Sequence, residues 1–479
     1  MICENFKYPK LLEYFETISA IPRASYEEEK IAAYLLAFAK ERGLEAYADK
    51  YNNVLINMPA SAGCEDVAPV LLQGHTDMVC ECNIGCEHDF HNDPLELFLE
   101  DGLVGARGTT LGADDGVAVA IMLAVLDGAV KSHGPIQCLF TASEEVGLDG
   151  ASGFDYSRIF ARRMINMDGA EEDTLVVGCA GGVRSDAFFD IEYQSRARKN
   201  IVRITLGGLM GGHSGENIND GRANANKLAL TLLRLLIELG SAELVSLDGG
   251  SKDNAIPREA VLVVAMEDVA TAQMLARKYA EGVRETLCPE DAEFFIRVED
   301  LGTSGYERVF SAALTQNILD FAGSIDNGVL AMSKKIDGLV EFSRNLGIIK
   351  CEDGKIAFYF SSRSAIEAQL ELSMDKIESE ARLIGGTVKH HGKYPGWDVS
   401  GYSQLAEDYI ALADEMFGTK VKKTALHAGL ECGIVKQALP DMEIISVGAD
   451  IADLHSPCER LGLESFGRVF AIVCKMIEK

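Results

Sequence analysis

The sequence has 479 residues, of which 47% are hydrophobic and 25% are charged, and its formal net charge is −29. This length exceeds what one hydrophobic core usually supports, so at least two domains are expected. The acidic excess argues against nucleic acids and anionic membrane surfaces as partners, because both are bound through basic patches. Metal cations and positively charged small molecules are compatible with it.

The amino-terminal residues 1–18 mix charges among their apolar side chains and lack the apolar h-region of a signal peptide. The longest uncharged apolar run, 117–126, is about half as long as a bilayer span requires. Twelve cysteines are scattered along the chain without dense disulfide spacing. We therefore expect a cytoplasmic protein whose cysteines are mostly reduced and buried.

The first segment alternates between helix and strand signals. A capping-box pattern runs from Ser25 to Glu28 ahead of an amphipathic helix, and a helix that is apolar on nearly all sides is predicted to end near Gly128. Such alternation favours an α/β layer with a largely parallel sheet. The predicted buried strands are 68–74, 135–143 and 162–168.

The pattern changes near Arg184, where strands with period-two alternation and amphipathic helices begin. After YPGW at 394–397 the first pattern returns, with a helix, a strand and a final helix. The prediction is a catalytic domain with a mostly parallel sheet flanked by helices, interrupted by an inserted α+β lid domain. The predicted limits are 1–184 and 394–479 for the catalytic domain and 185–393 for the lid.

Side chains that can bind metals follow four of the apolar strands, and Asp114 precedes the buried helix. Ligands gather at the carboxyl ends of strands in parallel sheets, so these side chains are expected to converge. Two imidazoles and three carboxylates suit a pair of divalent ions, with zinc expected first and manganese or cobalt also compatible. One carboxylate must bridge the pair. The four side chains at strand ends are His75, Glu145, Asp168 and His455.

Two adjacent glutamates, Glu144 and Glu145, follow the strand that ends in LFTAS. Neighbours on an extended backbone point to opposite sides, so one can bind metal while the other faces the open site. We assign Glu145 as a ligand and Glu144 as the general base, against the alternative of a solvated turn. Asp77 lies two residues after His75, on the same face, where it can hold the second imidazole nitrogen.

Five motifs occur in the order GHTDMV, LGADDG, SEEVG, NMDG and LHSP, and together they resemble the M20 family of metallopeptidases. The longer stretches GHTDMVCE, GTTLGADDGVAVA, GGHSGENI and NAIPREA resemble its aminoacyl-histidine dipeptidase branch, also called Xaa-His dipeptidase or peptidase D. The resemblance covers nearly the whole chain, insert included. It implies a fold similar to di-zinc exopeptidases.

The resemblance also implies roles for individual residues. Asp114 would bridge two metal ions, Glu144 would act as general base and acid, and Asp77 would orient an imidazole. In the lid, His213 would stabilise the transition state, while Asn254 and Arg363 would bind the substrate carboxylate or the oxyanion. HAGLECG at 427–433 resembles a family loop near the substrate. The implied metal ligands are His75, Asp114, Glu145, Asp168 and His455.

The implied activity is hydrolysis of the peptide bond of dipeptides, with Xaa-His dipeptides such as β-alanyl-histidine as substrates. A broader dipeptidase or tripeptidase, or an N-acyl amino-acid deacylase, would use the same site. A non-catalytic metal or peptide binder is an alternative of another class, and the retained Glu144 argues against it. A homodimer is left open, and so is whether His213 acts within its own chain or across to a second one.

Two further patterns offer other readings. The stretch CECNIGCEHDFH at 80–91 contains three cysteines and two histidines, but its C-x-C-x3-C spacing is not a standard paired-cysteine zinc pattern. A separate structural zinc there is kept as a minor alternative. The glycines around His213 lack the Lys-Ser/Thr of a P-loop, which argues against phosphate binding.

Overall fold

The computed structural model describes residues 2–399 and 401–479, which form two compact units. The first unit contains the described residues up to Cys179, together with Trp397–Ala425 and Leu430–Lys479. The second contains Ala180–Gly396 and Leu426–Gly429. The divisions lie a few residues from the limits expected at 184 and 394. The return of Leu426–Gly429 to the second unit was not predicted, and it follows from backbone hydrogen bonds that the Ala180 amide donates to the carbonyls of Leu426 and Ala428.

The first unit is built on an eight-stranded sheet whose four central strands are parallel. The prediction of a mostly parallel sheet is therefore confirmed for these central strands, which carry predicted site residues. The strand pairs on either side of them are antiparallel. A separate four-stranded sheet contains Leu97–Glu100, Leu103–Ala106, Ile451–Ala452 and Arg460–Gly462. In spatial order, the strands of the large sheet are Glu45–Ala48, Val54–Met58, Ile136–Thr141, Val70–His75, Arg163–Gly169, Glu443–Gly448, Thr174–Cys179 and Lys422–Leu426.

A helix buried on nearly all sides, Ala113–Ala124, runs through the core of the first unit and continues as a π-helical turn, Val125–Ala129. This confirms the predicted apolar helix, and Gly128 ends it with a left-handed φ of 88°. The amphipathic helices around it bury one face each. The remaining helices of this unit are Pro9–Ser19, Glu29–Glu41, Asp149–Gly153, Tyr156–Arg158 (a 3-10 turn), Gln404–Phe417, Glu431–Ala438 and Leu463–Ile477.

The second unit has a nine-stranded sheet whose described pairings are antiparallel. Two short ladders accompany it, Tyr193–Ser195 with Arg308–Phe310 and Gly212–His213 with Ala255–Ile256. The strands of the sheet are Phe295–Gly302, Asn200–Gly207, Ala260–Met266, Glu243–Gly249, Val340–Glu352, Lys355–Ser364, Gly181–Asp190 and Thr387–Tyr394, with Gly328–Met332 paired to Val340–Glu352. The helices are Ala225–Gly240, Val269–Arg284, Pro289–Asp291 (a 3-10 turn), Ala312–Ser324 and Glu367–Leu383.

The capping box predicted for the second helix is wrong. The helix Glu29–Glu41 is present, but the residue that precedes it, Glu28, makes no side-chain capping bond. The Glu28 carboxylate instead accepts hydrogen bonds from Tyr26 and Ser143, and the Ser25 hydroxyl donates to Asp77. Both side chains have therefore found partners in the tertiary structure in place of the local helix terminus.

All twelve cysteines are free thiols. Four are buried, six are half-buried and two are exposed, so the expectation that most are buried is wrong. No helix among the described residues combines the length and the apolarity needed to cross a bilayer.

Candidate metal and catalytic site

His75 ends the central strand Val70–His75 and anchors one half of the candidate site. Its ring is 1% exposed. The Nε2 atom lies 3.0 Å from Asp114 Oδ1 and 3.6 Å from Asp168 Oδ1. Asp168 lies in the neighbouring parallel strand Arg163–Gly169, so the sheet itself brings the two side chains together. These three residues form the His75 half of the site.

His455 anchors the other half. Its Nε2 atom lies 3.3 Å from Asp114 Oδ2 and 3.1 Å from Glu145 Oε1. The loop residue His455 adopts a left-handed φ of 59°, a backbone conformation that costs free energy for a non-glycine residue and is frequent at functional sites. The Asp114 carboxylate thus offers one oxygen to each half, as a bridging ligand must. The structure brings all five predicted ligands together.

The chemistry of these residues fits a pair of borderline divalent cations. The donor set mixes imidazole nitrogens with carboxylate oxygens, which zinc, manganese and cobalt accept. Glu145 Oε1 is buried and lies 3.1 Å from His455 Nε2, so two groups that can both donate an electron pair to a cation face each other. Two groups whose ligand atoms lie within 4.8 Å of one another converge here, His75 with Asp114 and Glu145, and His75 with Asp115 and Asp168.

Asp115 follows Asp114 directly, and its contacts are those of a supporting residue. The side chain is 1% exposed. Its Oδ2 atom accepts a hydrogen bond from the His75 amide (3.2 Å), and Oδ1 accepts one from the Ala118 amide (3.3 Å). Burial raises the pKa of Asp115 well above its ordinary value, and nearby Asp168 adds to this effect.

The site residues shift one another's protonation in the absence of cations. Hydrogen bonds to Asp114 and Glu145 raise the pKa of His455 to about 10, and burial raises the pKa of Asp168 to about 7. Burial also raises the pKa of Glu144 well above its ordinary value. The metal-free cluster therefore retains protons at neutral pH, which bound cations would displace.

Asp77 connects the His75 half to the Glu144–Glu145 turn. The His75 Nδ1 atom lies 3.1 Å from the Asp77 backbone carbonyl and 3.4 Å from its Oδ1 atom. The Asp77 carboxylate also accepts hydrogen bonds from the amides of Glu144 (3.0 Å) and Glu145 (3.2 Å). Asp77 is fully buried. It is placed to orient the imidazole, as expected, and it also fixes the backbone of the two glutamates.

Glu459 is a supporting residue that the sequence reasoning missed. Its carboxylate is buried and accepts hydrogen bonds from the backbone amides of 111–114, at distances from 2.8 to 3.4 Å. Four consecutive amides of the loop that presents Asp114 are therefore satisfied by one side chain. An acidic residue four positions after His455, in LHSPCERLG, was the available signal.

Glu431 was also missed as an individual residue, although the HAGLECG stretch that contains it was noted. It is fully buried, and its Oε2 atom accepts hydrogen bonds from Gln73 Nε2 (2.6 Å) and Thr141 Oγ1 (2.6 Å). The second oxygen, Oε1, is buried without a hydrogen-bond partner. Burial raises the pKa of Glu431 to about 7, against the lowering influence of His75. The signal available in the sequence was a glutamate surrounded by mostly apolar residues.

This elevated pKa predicts a pH-dependent effect of Glu431→Gln in the metal-free protein. The folded state keeps the proton up to about pH 7, whereas the unfolded chain loses it near its ordinary pKa of 4.5. Ionisation of Glu431 therefore destabilises the fold as pH rises through this window. The variant should be more stable than the wild type by about 3 kcal/mol near pH 8, and by much less near pH 5.

Urea unfolding in the presence of a chelator at the two pH values measures this difference. Glu443→Gln is a control, because that carboxylate is only half-buried and accepts hydrogen bonds from Ser403 and Leu405, which are not among the predicted ligands. An equal difference between Glu431→Gln and the wild type at both pH values would contradict the prediction.

The second unit gathers the three predicted lid residues around the short ladder of Gly212–His213 with Ala255–Ile256. Arg363 Nη2 lies 3.2 Å from His213 Nε2, and Arg363 Nη1 donates to the Tyr394 hydroxyl (2.9 Å). The Asn254 carbonyl accepts a hydrogen bond from the Ser214 amide (2.9 Å), which keeps it next to His213. Burial, and then the charge of Arg363, lower the pKa of His213. A cationic guanidinium beside a neutral imidazole is an arrangement that suits an anion.

Two further residues of the second unit support this group. The Asn345 amide donates to the carbonyls of Asp253 (3.4 Å) and Ala255 (2.7 Å), on either side of Asn254. His427 Nε2 lies 2.7 Å from the Ser343 hydroxyl, and burial lowers the pKa of His427 to about 3. His427 is therefore a neutral, buried imidazole. Sequence reasoning had noted its loop without assigning this residue a role.

The cysteine-rich loop at 80–91 does not form a second metal centre in the structure. Among residues 2–399 and 401–479, groups of three or more metal-binding side chains converge only around His75. His91 Nδ1 lies 2.5 Å from Glu27 Oε2, and the Cys86 sulfur lies close to Gly108. The minor alternative of a structural zinc in this loop is not supported.

A central parallel sheet with imidazoles and carboxylates converging at the ends of its strands is the architecture of a metal-dependent hydrolase. The model of peptidase family M20/M25/M40 matches residues 71–479. The chain belongs to this family, as its motifs had indicated.

Relatives and solved structures agree with this assignment. The cytosol non-specific dipeptidase of Escherichia coli (strain K12) is 34% identical over 472 residues, which cover 98% of this chain and 97% of the relative. The crystal structure of aminoacylhistidine dipeptidase from Vibrio alginolyticus is 34% identical and has a TM-score of 0.88, with coverage of 99% of this chain and 98% of that chain. Aminopeptidase PepT from Bacillus cereus shares the fold at a TM-score of 0.56 and 15% identity, with 98% of each chain covered.

Proposed function

We propose that this protein is a metallo-dipeptidase that hydrolyses the peptide bond of dipeptides, Xaa-His dipeptides among them. The observation that carries the proposal is the Asp114 carboxylate, which offers one oxygen to the His75 half and the other to the His455 half of one site. The names of two relatives, a non-specific dipeptidase and an aminoacylhistidine dipeptidase, support the substrate class.

Five residues of the first unit would hold two divalent ions, zinc first and manganese or cobalt as alternatives. When bound, such ions act as Lewis acids and lower the pKa of water toward neutrality. The fixed geometry of the ligand loops, maintained by Asp77 and Glu459, limits the rearrangement needed on binding. The proposed ligands are His75, Asp114, Glu145, Asp168 and His455.

Glu144 is the proposed general base. It follows the strand Ile136–Thr141 and adjoins the ligand Glu145, and it belongs to neither half of the ligand set. Its carboxylate accepts a proton from the water that attacks the scissile carbonyl, and it passes that proton to the leaving amine. Asp77 keeps the backbone of Glu144 in place and orients His75.

The second unit supplies the proposed substrate-binding residues. Arg363 and Asn254 would bind the carboxylate at the end of a dipeptide, because a guanidinium and an amide donate hydrogen bonds to an anion. His213 would stabilise the oxyanion that develops on the attacked carbonyl. A requirement for the terminal carboxylate would distinguish dipeptides from their C-terminal amides.

A substrate panel tests the proposal. Purified protein is treated with chelator and then supplied with zinc, manganese or cobalt, and is assayed on dipeptides that vary at the second residue, including β-alanyl-histidine. We expect turnover only with added metal, and a loss of about 10²-fold or more in kcat/KM when the terminal carboxylate is amidated, since a buried charge pair is lost.

The same panel contains the outcomes that would contradict the proposal. Preferred cleavage of tripeptides or N-acyl amino acids would reassign the substrate, whereas binding without cleavage of any substrate would leave a metal or peptide binder. We also propose a cytoplasmic location, in keeping with the cytosolic relative. Fractionation of cells that express the full chain tests it.

A further inference from the structure

Glu28 lies outside the ligand set and yet contacts the loop that carries Glu144. Its side chain is 1% exposed. The Oε1 atom accepts hydrogen bonds from the Ser143 amide (2.8 Å) and the Ser143 hydroxyl (2.8 Å). The same atom accepts a third hydrogen bond from the Tyr26 amide (3.0 Å). A buried carboxylate with this many donors is fixed in position, because any movement would leave charge or donors unsatisfied.

Ser143 occupies a backbone conformation that a serine rarely adopts. Its φ is +53°, in the left-handed region that favours glycine. Ser143 directly precedes Glu144 and Glu145, so its conformation sets the direction in which both glutamates leave the strand. In this backbone orientation the Ser143 amide and hydroxyl both donate to Glu28. These hydrogen bonds offset the intrinsic preference of serine for other conformations.

The turn that presents the glutamates is thus held by two buried carboxylates on separate segments. Asp77 accepts from the amides of Glu144 and Glu145, while Glu28 accepts from Ser143. The segments are joined, since the Ser25 hydroxyl donates to Asp77 Oδ2 (2.8 Å). Three consecutive amides of the turn are therefore satisfied by side chains placed far away in the sequence.

We propose that Glu28 is a positioning residue for catalysis: it holds Ser143 in the left-handed conformation that aims Glu144 at the attacking water. The inference rests on the proposed function of Glu144 as general base. Glu28 itself contacts neither the ligands nor, in this role, the substrate. Its removal should therefore affect kcat more than KM, because a misplaced base impairs the proton transfer while the substrate-binding groups lie elsewhere.

The experiment compares Glu28→Ala, Glu28→Gln and the double variant Glu28→Ala/Ser143→Gly with the wild type. We expect Glu28→Ala to lower kcat by about 10- to 100-fold with KM changed less than about twofold. Glu28→Gln should retain kcat within about threefold, because its amide oxygen can accept the same hydrogen bonds. Ser143→Gly should restore much of the loss in Glu28→Ala, since glycine adopts a positive φ without assistance.

Glu29→Ala is the matched control, because Glu29 is the exposed neighbour of Glu28 and should leave kcat unchanged. Metal content and thermal midpoint are measured for every variant. Unchanged kcat in Glu28→Ala would overturn the proposal. So would a loss of kcat that neither glutamine nor Ser143→Gly relieves, because that pattern indicates a general role in folding. If Glu28→Ala does not fold, Glu28→Asp is compared with Glu28→Gln instead. The aspartate side chain is one methylene shorter, so it cannot make the same hydrogen bonds to Ser143.

Hydrogen exchange separates this inference from the proposed function. The amides of 143–145 should exchange about tenfold faster in Glu28→Ala than in the wild type. The Ser143 amide loses its acceptor, and the turn that holds the next two amides loses its support. This readout requires no turnover. Faster exchange in a protein that cleaves no peptide would retain the structural role of Glu28 while the catalytic assignment fails. Unchanged exchange would overturn the role of Glu28 whatever the activity of the wild type.

Discussion

Replacing Glu144 with glutamine is expected to lower kcat by about 10²- to 10⁴-fold, the contribution typical of a general base. Glutamine has the same shape and can accept a hydrogen bond, but it cannot take a proton from water at neutral pH. The effect should appear in kcat and in kcat/KM alike, because the proton transfer belongs to the transition state. Steady-state kinetics with a good dipeptide substrate, at saturating metal, measures both.

The neighbouring glutamate supplies the control. Glu145 lies 3.1 Å from His455 Nε2, whereas Glu144 belongs to neither half of the ligand set. Glu144→Gln should therefore retain its full metal content, and Glu145→Gln should lose metal affinity. Wild-type turnover in Glu144→Gln would remove this residue from the mechanism, and loss of metal from it would reassign it as a ligand.

The convergence of the five ligands could be predicted because each of their positions has a local signal. Apolar strands end in His75 and Asp168, and parallel neighbours end at the same edge of a sheet. Asp114 lies where the long apolar helix begins. The order of the strands within the sheet could not be predicted and is known only from the structure.

The carboxylates that support the ligands could not be predicted in the same way. Glu459 binds backbone amides about 345 positions away, and Glu28 binds Ser143, 115 positions away. Every residue except proline has a backbone amide, so a carboxylate that accepts from amides has no characteristic partner side chain. The sequence therefore contains no signal for such a contact. Glu28 even fits a competing local pattern, the capping box, which the structure shows it does not form.

Strand direction at the sheet edges was a second limit. The strands Glu45–Ala48 and Val54–Met58 pair antiparallel through a short connection, and the Val54–Met58 strand also pairs antiparallel with Ile136–Thr141. Burial on one or both faces determines the hydrophobic pattern of a strand, and that pattern does not encode the direction of its neighbour. The parallel centre was predicted correctly because connections of well over a dozen residues separate its strands, long enough to cross over the sheet.

Replacing Asp114 with asparagine is expected to abolish most turnover and to reduce the metal content from two ions per chain to one or none. An amide group has one oxygen, so it cannot offer one oxygen to the His75 half of the site and a second to the His455 half. Loss of metal-assisted polarisation is expected to cost several kcal/mol in the transition state, about 10³-fold or more in kcat/KM. Metal analysis after gel filtration and kinetics on the same sample measure the two effects together.

Asp115→Asn is the matched control, since Asp115 is adjacent and buried and its carboxylate binds backbone amides. It should retain two metal ions. The roles assigned to the two aspartates would be wrong if Asp114→Asn kept a second ion or if Asp115→Asn lost one.

Proton release on metal binding tests the contact between Asp114 and His455 independently of turnover. His455, with its pKa raised to about 10 chiefly by Asp114, carries a proton in the metal-free protein at neutral pH, and only its neutral form can bind a cation. Metal affinity in the wild type should therefore rise by about tenfold per pH unit for this one proton, until pH approaches about 10. In Asp114→Asn the charge that raises the pKa is missing, so His455 should be closer to its neutral form at pH 7 and release less than one proton. Calorimetric titration of zinc in buffers of different ionisation enthalpy counts these protons, and equal release from the wild type and Asp114→Asn would show that Asp114 does not hold the proton on His455.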